Sequence, residues 1–91
     1  MTSVTRLARN PAVTTSDLEG ERFLVQPENG EIFHLDSLTS RVWQLLDRPR
    51  AAAEIAGTLA ATVPEDTAAH CRTEVERLLA ELLEAGLLRP S

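Results

Sequence analysis

Apolar positions recur along this chain with a period of two up to Leu35 and with a helical period beyond it. Ala12-Val13-Thr14-Thr15-Ser16-Asp17-Leu18 is rich in β-branched residues and predicts a first strand, closed by Glu19-Gly20-Glu21. Phe23-Leu24-Val25-Gln26 and Glu31-Ile32-Phe33-His34-Leu35 predict two further strands joined by Pro27-Glu28-Asn29-Gly30. That loop is suited to a tight turn: proline fixes its own φ, asparagine tolerates unusual dihedrals, and glycine reaches positive φ without a Cβ clash. Alternation places Leu24, Phe33 and Leu35 on one face of the hairpin and Phe23, Val25, Ile32 and His34 on the other. A sheet apolar on both faces needs cover on at least one, so helices must pack on one side. An N-terminal arm or a partner is then expected over part of the other.

At Asp36 the period changes. Asp36 is placed to cap a helix of about residues 37–47, in which Leu38, Val42, Leu45 and Leu46 share a face and Trp43 flanks it. Pro49 stops that helix. A second helix is expected over about 51–62, anchored by Ile55 and Leu59 alone among its large residues. The third and longest begins at Pro64, where Glu65 and Asp66 suit the positive end of the helix dipole. Its stripe runs through Cys71, Val75, Leu78, Leu79, Leu82 and Leu83, and Gly86 fits a left-handed cap that folds Leu87 back toward Leu82. Residues 1–10 have no periodic pattern and read as a flexible arm, leaving 11–91 as one folded domain.

Composition narrows the function. The chain has 91 residues and a formal charge of −5, and all its basic side chains are arginine. Residues 1–50 carry six Arg against seven acids, whereas 51–91 carry three against seven. Nucleic-acid binding rests on a positive footprint, so the acidic C-terminal half argues against it. A single cysteine, Cys71, excludes an internal disulfide framework and fits a reducing compartment. Neither a signal peptide nor a run of about 20 apolar residues stands out, so a cytoplasmic chain without a membrane partner is expected.

The chemistry-bearing residues do not converge in sequence. His70 and Cys71 adjoin, but neighbours on a helix point about 100° apart, which suits neither a shared metal ion nor a nucleophile–base pair. Cys71 is expected as a small buried thiol beside a solvent-facing histidine. Ser37, Thr39 and Ser40 beside Asp36 are capping chemistry. Glu74, Glu76, Glu81 and Glu84 read as a solvated helix face, with steering of a basic partner as the alternative, and Trp43 as a core-rim residue. No catalytic residue, metal or cofactor is expected. The available function is one of shape: a strand edge beside a helix can receive an extended peptide.

The order of these elements resembles the PqqD family, the peptide chaperones also described as RiPP recognition elements. The resemblance covers about Leu24 to Leu88. It rests on Glu31-Ile32-Phe33-His34-Leu35-Asp36, on Val42-Trp43-Gln44-Leu45-Leu46-Asp47, on Ile55 with Leu59, and on Glu74-Val75 before Leu78-Leu79, Leu82-Leu83 and Gly86-Leu87. It implies an α+β fold, a three-stranded antiparallel sheet followed by a three-helix bundle, winged-helix-like in arrangement. It also implies binding of the leader segment of a ribosomally made precursor peptide, presented to a modifying enzyme such as a radical SAM protein or to a leader peptidase. Carried onto this chain, the docking edge is Glu31, Ile32, Phe33, His34 and Leu35. The groove wall is Ala68, Cys71, Arg72, Val75 and Leu79. Asp36 stands where the family commonly has asparagine, and either caps a helix. The competing readings are a winged-helix DNA-binding regulator, which needs a basic third helix, and a homodimer or assembly module using the second sheet face.

Overall fold

A computed structural model of the chain describes residues 5–91. Nine elements follow in order: β1 (Arg6–Arg9), β2 (Thr14–Leu18), β3 (Glu21–Gln26), β4 (Glu31–His34), α1 (Ser37–Leu45), β5 (Arg50–Ala51), α2 (Ala52–Ala60), α3 (Glu65–Glu84) and β6 (Leu88–Pro90). The expected sheet is present as an antiparallel β2-β3-β4 meander. A second small sheet, β5-β1-β6, was not anticipated.

That second sheet corrects the reading of residues 1–10 as a flexible arm. Within the described part of that segment, Arg6–Arg9 is the central strand of the small sheet, pairing antiparallel with both β5 and β6. Leu7 is buried in the core. The Arg9 guanidinium lies 4.8 Å from the Trp43 ring centroid and donates to the Trp43 carbonyl. The Asn10 N–H donates to the Leu87 carbonyl at 3.0 Å. The start of the chain therefore stitches α1 to the C-terminal segment.

The hairpin register pairs Phe23 with His34, Leu24 with Phe33 and Val25 with Ile32. Leu24 and Leu35 are buried and Phe33 packs against them. The helices cover this face only, as alternation required. On the opposite face Leu18 and Ile32 remain 63% and 62% exposed. They line an apolar cleft with Ser16, Phe23 and Val25, all from β2–β4.

Caps explain the helix ends. Asp36 accepts the Thr39 N–H at 2.8 Å and starts α1. Pro64 is the N-cap residue of α3, one position before the first helical residue expected for it. At the far end Gly86 has φ +80, the Gly86 N–H donates to the Leu83 carbonyl at 3.1 Å and the Leu87 N–H to the Leu82 carbonyl at 2.9 Å. This bond pair is a Schellman cap, with Leu82 and Leu87 both fully buried beside it. Three side-chain amides hold the same end: Asn10 and Gln26 donate to the Gly86 carbonyl at 2.9 and 2.8 Å, and Asn29 to the Ala85 carbonyl at 2.9 Å. The C-terminal end of α3 is thereby fixed to the β3–β4 hairpin. That attachment sets the spacing of the candidate site.

Candidate functional site

The site is built on one strand. β4 pairs with β3 along one side only, and its other side is an open sheet edge among the described residues. The Leu35 N–H donates to the Arg22 carbonyl at 2.8 Å, continuing the ladder past the end of β4. In an antiparallel ladder alternate residues exchange both main-chain bonds. Phe33, two residues before Leu35, therefore directs its N–H and C=O toward β3, and the intervening Ile32 and His34 direct theirs outward. The open edge thus offers the main-chain groups of Ile32 and His34 to a guest strand.

Facing that edge is α3. A cleft of about 350 Å³ lies between them, lined by Glu31 and Phe33 from β4 and by Glu81, Glu84 and Ala85 near the α3 C-terminus. A second cleft of about 150 Å³ is lined by Asp36, Leu38 and Thr39 at the start of α1 and by Glu74, Arg77, Leu78 and Glu81. Glu81 lines both, so they lie end to end along α3. Glu74, Leu78, Glu81 and Ala85 fall at the 4-3-4 spacing of a single stripe, which borders the start of α1 at Glu74 and Leu78 and β4 at Glu81 and Ala85.

The five residues of the expected edge, Glu31 to Leu35, occupy different positions in the fold. Ile32 and His34 carry the outward main-chain groups. Glu31 and Phe33 put their side chains toward α3. Leu35 lies beyond the strand, buried at 9% exposure as part of the core. His34 packs against Phe23 with ring centroids 5.2 Å apart and lies 3.4 Å from a Glu21 carboxylate oxygen.

The α3 residues that line the clefts stand about one residue, or about 100° around the helix, from the wall expected from the sequence. Val75 and Leu79 are fully buried core, at 0% and 2% exposure. Arg72 lies on the α2 side, its Nη1 3.6 Å from where a Cβ would stand on Gly57. Ala68 and Cys71 are half-buried, and Cys71 packs against the core. None of these five lines either cleft. The α3 residues that line the two clefts are Glu74, Arg77, Leu78, Glu81 and Glu84, with Ala85 at the helix end. Glu81 and Glu84 are exposed, as a solvated face requires, and Glu74 is half-buried; the sequence signal that places them beside the clefts is their spacing from Leu78.

Electrostatically the site is acidic. Among the described residues that line the clefts Arg77 is the one cation, and it sits 3.3 Å from Glu74. The Asp36 carboxyl is held below its ordinary value of 3.8, chiefly by the Thr39 backbone N–H against an opposing push from burial, with the Thr39 hydroxyl and His34 adding to the depression. Glu31, Glu81 and Glu84 make no ion pair among the described residues. His70 faces solvent 4.0 Å from Glu74. Among the described residues no group of three or more metal-ligating side chains comes together, and no helix is long and apolar enough to cross a membrane.

An open strand edge paired with a helix-lined cleft defines a peptide-docking scaffold. Residues 21–88 match the family described as coenzyme PQQ synthesis protein D (PqqD), and the chain belongs to that family. Among solved structures it is similar to TbiB1 in complex with the TbiA(beta) leader peptide. The TM-score is 0.69 at 25% identity, over 90% of this chain and 94% of that one. No curated protein matches.

Proposed function

We propose that this protein binds the leader segment of a ribosomally made precursor peptide by strand addition along β4 and presents it to a modifying enzyme. The observation that carries the reading is the open β4 edge facing the α3 clefts, in a member of a family whose structural relative TbiB1 holds a leader peptide. A guest strand would exchange main-chain bonds with Ile32 and His34, which are independent of guest sequence. Its alternate side chains would enter the clefts over Phe33, Leu38 and Leu78. Binding is the whole of the proposed activity. The modification is supplied by the enzyme that receives the peptide, of which a radical SAM protein or a leader peptidase are the candidate kinds.

A DNA-binding role finds no support in the third helix. α3 carries Glu65, Asp66, Glu74, Glu76, Glu81 and Glu84 against Arg72 and Arg77, the reverse of a phosphate-binding helix.

The test is a titration of isotope-labelled protein with the leader of the precursor encoded beside its gene. Amides of Ile32 and His34 are expected to shift most within β4, together with those of Leu78, Glu81 and Ala85. Unmoved β4 amides at saturating leader would refute the reading.

A further inference from the structure

Resting on the leader-binding reading above, we propose that the guest of this chain is a basic peptide. Lys or Arg occupies alternate positions of its docked strand and faces α3. The intervening residues are apolar and extend the open face of the sheet beside Ile32.

Three features of the groove argue for this occupant. First, the cleft between β4 and α3 contains Glu31, Glu81 and Glu84, all without a cationic partner among the described residues, while the neighbouring Arg77 is already engaged by Glu74. A neutral or acidic strand laid in that cleft would desolvate three carboxylates without compensation, which is costly. A basic one would pair them.

Second, Glu81 and Glu84 stand in the last turns of α3, at the negative end of its dipole, and no basic residue occupies the last turn. They are also three apart, where like charges repel. This arrangement is unfavourable in the free protein, and a cationic guest relieves it.

Third, the parity of β4 decides what the two sides of the guest meet. Glu31 and Phe33 point to α3, whereas Ile32 points to the opposite face, where it borders the cleft with Leu18, Phe23 and Val25. A strand hydrogen-bonded to Ile32 and His34 alternates in the same way. Its groove side sees carboxylates around Phe33, and its outer side prolongs an apolar surface.

The probes are the leader encoded beside the gene and a copy with every Lys and Arg replaced by Gln. The Gln copy is expected to bind at least tenfold more weakly. Raising sodium chloride from 50 to 300 mM should weaken the unmodified leader several-fold, mainly through a slower association rate. The double variant Glu81→Gln/Glu84→Gln should lose about tenfold in affinity while its unfolding midpoint rises. A merely structural role for these residues would lower the midpoint. Glu65→Gln/Glu76→Gln changes the net charge equally on the far side of α3 and should leave affinity unchanged.

A leader that shifts the β4 amides yet binds equally well after Lys/Arg→Gln replacement, or to the Glu81/Glu84 variant, overturns this inference and leaves strand addition standing. Equal losses in the near-side and far-side variants would also overturn it, by reducing the effect to net charge. A leader that moves no β4 amide refutes both readings together.

Discussion

At the scale of single residues, the strongest constraints are polar groups whose partners are fixed. Gln26 is 2% exposed. Its Nε2 donates to the Gly86 carbonyl at the end of α3, and its Oε1 accepts the Glu28 N–H in the hairpin loop. Gln26→Ala leaves a hole at the hairpin–helix junction and strips one partner from each group. A loss of about 1–3 kcal/mol is expected, read as a shift in the urea midpoint at unchanged m.

Glu19 works in the opposite direction. It takes φ 54 and is followed by Gly20 at φ 83, so the two-residue β2–β3 turn demands left-handed backbone from a residue with a Cβ. Glu19→Asn should stabilise the fold by about 0.5–1 kcal/mol, seen as a raised thermal midpoint.

Asp36 adds a pH dependence whose sign follows from its depressed carboxyl. The unfolded chain binds that proton more tightly than the folded one. The cap therefore contributes fully above the ordinary value of 3.8 and is lost as pH falls through the lower folded value. Asp36→Ala should cost about 1 kcal/mol at neutral pH. The difference from the parent should vanish in acid unfolding curves below that range.

At the scale of elements, the strands and the helix face that borders the clefts were legible to different degrees. β3, β4 and their turn could be read because alternation, a Pro-x-Asn-Gly loop and the following aspartate cap all agree. The α3 wall could not, because residues of a peptide groove must be half-exposed, and the most apolar residues of a stripe are the ones burial claims first. Val75 and Leu79 thus belong to the core, and Val75→Glu would bury an unpaired charge and unfold the protein rather than probe the groove.

The ladder supplies a cleaner pair of variants. Proline at an edge strand is tolerated where the lost N–H faced outward and is destabilising where it bonded the neighbouring strand. Ile32→Pro should keep a folded, cooperative transition while leader affinity falls by at least tenfold. Phe33→Pro should break the ladder to β3 and lower stability by about 3 kcal/mol or more. Circular dichroism melts beside titration calorimetry separate the two outcomes. An Ile32→Pro protein that is folded and binds normally would move the docking edge away from β4.

At the scale of the whole molecule, the chain ends meet through β1, and this was the part least readable from the sequence. Arg6-Leu7-Ala8-Arg9 holds one large apolar residue, and its partner strands are only two and three residues long. No periodicity can emerge from segments that short. Their pairing joins segments far apart in sequence, β1 with β5 and β6, and is tertiary rather than local. Once formed, it closes the molecule: the Ser91 N–H donates to the Arg6 carbonyl at 2.7 Å, Asn10 holds both Gly86 and Leu87, and Leu7 enters the core. A dispensable arm and a central strand make opposite predictions for truncation. Removal of residues 1–10 takes away the middle of the β5-β1-β6 sheet, the Arg9 contacts with Trp43 and one of the two amides on Gly86. The truncated protein should lose several kcal/mol of a stability that in a domain of this size totals about 5–15 kcal/mol. Amide exchange should accelerate first at Arg50–Ala51 and Leu88–Pro90, the strands left without a partner, and then at the α3 C-terminus that forms the groove wall. Leader affinity should fall with it, although none of the described residues 5–10 lines the two clefts. Unchanged exchange at Leu88–Pro90 after truncation would show that β6 is held by α3 alone and that β1 contributes no closure.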